Sequence, residues 1–446
     1  MLRRPINSLR QRYEPLLASL SGSDTAKAAG LAGAMVANNV IALGSVIVFS
    51  RELSDYGSLA ALVSYFLILA VVGYAMQVAT AREAVLGHLG VGPGMAATIR
   101  NWIKVTLLFT AVMTVLSVLA RHPIAEAVGV KQQWAAALGI PAGCLYLLLC
   151  MMRGFLQGLG DYRSVGISLV GEQAARLAIG GVLAIGLGVT GAYIGTPLSF
   201  VAMMLYCAVP LRRRLGPAPA GKRPAVELWL HVARAWTAIA ALGVIAVLQN
   251  IDIIAAKHRF SSELASSYSA TAVAAKVLIW VAMGAGFYLV PEVSRRRAHG
   301  QDTRPVLGKA LAIVGVAAIP CLLIYGLLPR LLIRAAFGSN RLLAVDALFI
   351  LGLAFTVLAG TYLAVQYMLA LKRTWFLLPL GAVAVVEPIL LLQASKQPLG
   401  FAVVVLVVQI AGALVAFGMA LRPQKVLPQP EPPDSGVTEV ELVGAP

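Results

Sequence analysis

The chain has 446 residues, 59% of them hydrophobic and only 12% charged, with a mean hydropathy of +0.83 and a formal charge of +17 at neutral pH. So little polar surface cannot solvate a water-soluble globule of this size, which leaves lipid as the solvent for most of the chain. Hydrocarbon offers no water to pair exposed backbone groups, and apolar runs of about 20 residues without two-residue alternation select helices over a barrel.

Residues 1–25 mix Arg3, Arg4, Arg10 and Arg12 with Pro5, Glu14 and Pro15. They lack the unbroken apolar core of a signal peptide and read as a cytoplasmic arm. Apolar runs then predict spans near 27–50, 57–80, 102–120, 134–153, 164–187 and 190–211, a first six-helix unit over 26–211. A polar, Pro-containing linker follows over 212–227. Further spans are expected near 228–250, 264–290, 307–328, 343–370, 374–394 and 398–421, a second unit over 228–421. The Pro-rich, acidic tail over 422–446 has the composition of a disordered cytoplasmic segment.

Orientation follows from the basic residues, which concentrate in alternate loops. With the amino terminus inside, 24 Lys or Arg fall on the cytoplasmic side and 9 on the outer side. Both termini are therefore expected in the cytoplasm of a bacterial cell whose inner membrane the chain spans repeatedly. The triplets Arg212-Arg213-Arg214 and Arg295-Arg296-Arg297 belong to this pattern and are no nucleic-acid footprint. Cys144, Cys150, Cys207 and Cys321 fall in apolar spans without CxxC spacing, so neither a metal site nor a disulfide framework is indicated. No Walker sequence is present, and the five histidines are scattered, so no cofactor or ATP chemistry is expected.

The two halves share a register. Asn38 precedes Tyr56 by the spacing that separates Asn250 from Tyr268, and the same offset pairs Phe155 with Tyr367 and Leu159 with Leu371. Glu172 and Glu387 occupy the fifth helix of each half, displaced by about one turn. A tandem copy with an even number of spans predicts two like-oriented bundles related by a pseudo-two-fold axis along the membrane normal, enclosing a cleft.

Three segments carry a family resemblance: Ser50-Arg51-Glu52-Leu53-Ser54-Asp55-Tyr56-Gly57, Arg153-Gly154-Phe155-Leu156-Gln157-Gly158-Leu159-Gly160-Asp161-Tyr162, and Gly186-Leu187-Gly188-Val189-Thr190-Gly191-Ala192. With them the chain resembles the multidrug/oligosaccharidyl-lipid/polysaccharide exporter superfamily, and within it the Wzx-type polysaccharide or O-antigen flippases. The resemblance implies an all-α, MATE-like pair of six-helix bundles, about twelve spans in total. It also implies flipping of an isoprenoid-pyrophosphate-linked saccharide to the outer leaflet, with that lipid-linked oligosaccharide, membrane lipids and enzymes of polysaccharide assembly as partners.

A charge at mid-bilayer costs about 2.5–3.5 kcal/mol even on the lenient insertion scale, so each asks for a partner or a purpose. Glu172 and Arg176 have the i,i+4 spacing of an ion pair, and the Arg176 guanidinium suits a pyrophosphate. Lys276 has no opposite charge one turn away on its own helix, so it either pairs across helices or faces the cleft to hold an anionic headgroup. Asn38, Asn250 and Asp252 lie on the first helix of each half, where cross-helix hydrogen bonding or substrate contact is expected. Glu387, followed by Pro388, is the first candidate for ion coupling and Glu172 the second. Gly191-Ala192-Tyr193-Ile194-Gly195 reads as a close helix contact. Two other functions compete with flipping: a cation-coupled drug antiporter of the same fold, and a membrane enzyme of polysaccharide assembly.

Overall fold

The structure, a computed structural model, describes residues 24–217, 221 and 224–422. The arm expected over 1–25, the tail over 422–446 and the middle of the linker fall largely outside them. Every regular element among the described residues is helical. The first half contains α1 (Asp24–Glu52), α2 (Tyr56–Val85), α3 (Pro93–Leu119), α4 (Arg121–Val128), α5 (Gln133–Ala137), α6 (Gly139–Gly158) and α7 (Tyr162–Leu215). The second contains α8 (Leu228–Arg259), α9 (Ser262–Ala275), α10 (Val277–Ala298), α11 (Arg304–Leu327), α12 (Pro329–Phe337), a 3-10 stretch Ser339–Ala347, α13 (Leu348–Ala370), α14 (Leu377–Gln393) and α15 (Pro398–Ala420).

Ten stretches are long and apolar enough to cross a membrane, by length and composition. One of them, α7, holds two crossings, because its 54 residues turn back at Gly188, whose φ of 56° and ψ of −132° suit a residue without Cβ. Around that turn the backbones touch: a Cβ on Gly195 would sit 2.6 Å from Gly180, and one on Gly191 would sit 2.1 Å from the Leu183 carbonyl. The Gly191 to Gly195 pair is thus a close helix contact, as its spacing implied. With the shorter apolar α14 the candidate crossings among the described residues number twelve.

Within the first bundle α2 packs on α6, and α7 packs on α1 and α6; within the second, α13 packs on α10, α11 and α15, and α8 on α14. Large apolar side chains such as Leu108, Ile185, Val316 and Leu414 face outward, while Trp134, Trp229, Trp236 and Trp375 stand exposed in the manner of an interfacial belt. The described chain ends and the linker lie at one end of the bundles, called here the terminus end; the α1–α2 turn, α4 and α12 lie at the far end.

The duplication is visible in backbone geometry. After α6, Gly160 takes a left-handed φ of 74°, and after α13 Lys372 does so at 54°, in the register of the Leu159 and Leu371 pair. The hydrogen bonds around them repeat, since the Asp161 amide donates to the Leu156 carbonyl and the Arg373 amide to the Met368 carbonyl. The short helices α4 and α12 also correspond, each following the third span of its half. Because a left-handed lysine is strained and a glycine is not, Lys372→Gly is expected to raise stability by about 0.5–1 kcal/mol, read as a higher thermal midpoint.

Candidate functional site: the buried charges and the inter-bundle seal

Glu172, on α7, accepts a hydrogen bond from Arg176 and is ion-paired with Arg153 as well. Arg153 Nη1 lies 2.9 Å from its Oε2, and Arg176 Nη2 lies 2.8 Å from its Oε1. Arg153 is fully buried and fixed further by Ser168, donating from Nε to the hydroxyl at 2.9 Å and from Nη2 to the carbonyl at 2.8 Å. Arg176 is held differently: it stacks over Phe66 and Phe200 at 5.8 and 5.5 Å, its Nε has no partner, and 16% of its side chain is exposed. Two guanidiniums against one carboxylate leave this cluster with one surplus positive charge, and only Arg176 of the two arginines is accessible.

The second bundle pairs one of its two buried acids with a lysine. Lys276 stands at the break between α9 and α10, and its ammonium donates to Asp252 Oδ1 at 2.9 Å while resting over the Phe355 ring at 5.0 Å. Tyr268 donates its hydroxyl to the other Asp252 oxygen at 3.3 Å. Lys276 and Asp252 are therefore buried against one another. Glu387, on α14, takes a hydrogen bond from Gln409 Nε2 at 3.1 Å and lies wholly buried. Each asparagine bonds within its own helix: Asn250 donates to the Ala246 carbonyl one turn earlier, and Asn38 donates to its neighbour Asn39.

At the far end the bundles are sealed by an exchange of arginines. Arg51, closing α1, donates from Nε to the Ala336 carbonyl at 3.0 Å and from Nη2 to the Ala335 carbonyl, at the carboxyl end of α12. Arg341, in the second bundle, donates to the Ser50 and Leu53 carbonyls at 2.9 and 2.6 Å, at the carboxyl end of α1. Each arginine thus satisfies carbonyls that a helix terminus leaves unpaired, and does so on the opposite bundle. Lys257 and Ser262 donate to Asp55 Oδ1 at 2.6 and 2.8 Å, and the Gly57 amide donates to the Ser266 hydroxyl at 2.9 Å. Glycine permits that approach, since a Cβ at residue 57 would lie 3.0 Å from the Ser266 nitrogen.

Burial works against the Asp55 charge, yet Lys257 and the Ser58 and Ser262 hydroxyls outweigh it and hold the carboxyl below its ordinary 3.8. A lowered value means that the ionised form favours the sealed arrangement. Its contribution is complete above 3.8 and fades only as pH falls through the lower sealed-state value, so the seal is intact at neutral pH.

At the terminus end the inter-bundle contact runs through α2 and α8. His231 Nε2 and Thr80 Oγ1 share a hydrogen bond at 3.2 Å, and the His231 ring stacks on Trp102 at 4.8 Å. The terminus-end helix α10, by contrast, packs on α11 and α13 of its own bundle.

The sequence pointed to Glu172, Arg176, Lys276 and Glu387, and the structure places them in two separate clusters, one per bundle. It joins the first two as their spacing implied, supplies Asp252 as the partner of Lys276, and adds Arg153, Tyr268 and Gln409. Arg153 was legible only as a loop-side residue, because the fourth span was expected to end there; α6 continues to Gly158 and carries it inside.

No protein-family model matches the sequence, and no curated protein does. Solved structures match by fold. An inward-facing multidrug resistance MATE family transporter of the MOP superfamily superposes with a TM-score of 0.68 at 12% identity, over 86% of this chain and 93% of that one. The lipid II flippase MurJ, in an inward closed conformation, also gives 0.68, at 15% identity over 87% of each chain. An outward-facing MATE family transporter of the MOP superfamily gives 0.54 at 13% identity, over 90% of this chain and 96% of that one. The chain has the fold shared by MATE transporters and MurJ, and it superposes better on the inward-facing MATE arrangement than on the outward-facing one.

Proposed function

We propose that this chain is a flippase that carries an isoprenoid-pyrophosphate-linked saccharide from the inner to the outer leaflet of a bacterial inner membrane, for cell-surface polysaccharide assembly. The observation that carries the reading is the surplus charge at Arg176, a guanidinium held on one side by Glu172 and part-exposed, beside a fully buried Arg153 that already compensates the carboxylate. Guanidinium matches phosphate oxygens in bidentate fashion, and an anionic headgroup crossing a low-dielectric interior needs such a counter-charge. With both termini cytoplasmic, the arginine-exchanged seal closes the outer side and the seam between the bundles faces the substrate's leaflet. Breaking the seal and re-forming contacts at the terminus end would present Arg176 to the other side, the alternating-access cycle of paired bundles.

Cells depleted of the protein are expected to accumulate undecorated lipid-linked saccharide on the cytoplasmic leaflet. An unchanged leaflet distribution together with altered drug sensitivity would instead support a cation-coupled drug antiporter. That second reading is favoured by one feature, the buried Glu387 carboxyl with an unpaired oxygen.

A further inference from the structure

An apolar furrow of about 450 Å³ runs along α15, lined by Val357 of α13 and by Ile410, Leu414, Phe417 and Leu421. Gly418 keeps it open, since a Cβ there would meet nothing within 4 Å. Phe417 is turned inward, its ring 3.5 Å from where a Cβ on Gly360 would stand, while Leu414 faces outward at 72% exposure. From Ile410 to Leu421 the helical rise makes the furrow about 16 Å long. The hydrocarbon core of a bilayer is about 30 Å thick, so the furrow matches the depth of one leaflet.

At the terminus end the furrow runs into a basic rim. The Leu421 carbonyl accepts from Arg304 Nη2 at 3.3 Å, and Arg373 Nη1 donates to the Met419 and Arg422 carbonyls at 3.4 and 3.5 Å. Arg304 opens α11, Arg373 follows α13 and Arg422 follows α15, so three helices bring guanidiniums to one place. Arg304, Arg422 and the neighbouring Lys372 are exposed. Asp302 accepts the Arg304 backbone amide at 3.0 Å. Among the described residues no ion pair ties a carboxylate to any of these four cations. Long bonds to carbonyls position the arginines without neutralising them.

We propose that the furrow and its rim hold one anionic phospholipid, with an acyl chain laid along α15 and the phosphate received by Arg304 and Arg373. An apolar track one leaflet deep, ending in cations, matches such a lipid in both its parts. A neutral lipid would fill the track and leave the rim uncompensated; a soluble anion would meet the rim alone. Because α11, α13 and α15 all contribute, the bound lipid clasps the second bundle, and its binding reads out as stability. No residue of the Arg176 cluster takes part, so the inference does not rest on the substrate proposed above.

The test is thermal unfolding of the purified full-length protein in neutral-detergent micelles. These are titrated with dioleoylphosphatidylglycerol or dioleoylphosphatidylcholine, which share their chains and differ in charge. Phosphatidylglycerol should raise the midpoint more than phosphatidylcholine does, because a ligand held only by the folded state stabilises it. In the double variant Arg304→Gln with Arg373→Gln, the lipid needed for half of that rise should increase about 30-fold, roughly fivefold per lost charge near the membrane surface. Gly418→Leu puts a side chain into the open track at a position where leucine favours the helix, so it should fold and lose the phosphatidylglycerol-specific rise. Equal rises with the two lipids, a wild-type response in Gly418→Leu, or the same rise with glycerol phosphate, which has the head and no chain, would each overturn the proposal. So would a wild-type dimer that Gly418→Leu converts to a monomer, which would make the furrow an interface between copies.

Discussion

Replacing Arg176 by Gln should lower the rate of lipid-pyrophosphate flipping by about 10- to 100-fold, the loss expected when one charge-assisted contact to an anionic headgroup disappears. The fold should survive, because Glu172 keeps Arg153 at 2.9 Å and the buried carboxylate stays compensated. Arg176→Lys separates charge from shape: it keeps the positive charge but loses the planar fork and the stacking over Phe66 and Phe200, so it should recover only part of the rate. The measurement is the appearance of lipid-linked saccharide on the outer leaflet, with the thermal midpoint as a control. A wild-type rate in Arg176→Gln would remove this residue from the transport path.

Arg153 should behave in the opposite way. Arg153→Ala empties a fully buried site, strips the Ser168 carbonyl of its donor and leaves Glu172 with Arg176 alone, a combined loss of about 2–5 kcal/mol, enough to unfold many domains. The expected result is loss of folded protein in detergent, not a folded protein with slow transport. Arg153→Met should recover part of the loss, since it refills the buried volume while Glu172 keeps Arg176. If Arg153→Ala melts at the wild-type temperature, the triad is not what holds α6 to α7.

The spans and the tandem copy were open to reading in the sequence because lipid imposes them. Twenty-residue apolar runs and loop charges are properties of single segments, and the shared register of Leu159 and Leu371 reappears as a pair of left-handed turns. The Glu172–Arg176 pair was legible for the same reason, being local to one helix. The far-end seal was not. Arg51 and Arg341 bond to carbonyls, which every residue has, so their partners leave no compositional mark and emerge only when the two bundles are docked. Lys276 has no opposite charge near it in sequence and finds Asp252 one helix back, so its spacing could not say whether it served a substrate or a partner. Arg153 was concealed by a span boundary: a charged residue ends an apolar run on paper, but a buried arginine paired with Glu172 and bonded to Ser168 lets α6 run on past it. Asn38 and Asn250 share a register but bond within their own helices, a choice that spacing alone does not reveal.

The most direct measurement of the central claim uses vesicles reconstituted with the purified protein and a polyprenyl-pyrophosphate saccharide labelled on one leaflet. Transfer of label to the opposite leaflet in wild-type vesicles, slowed in Arg176→Gln and absent from protein-free vesicles, is the predicted outcome. Transfer no faster than in protein-free vesicles, under conditions where the protein is folded, would contradict the account.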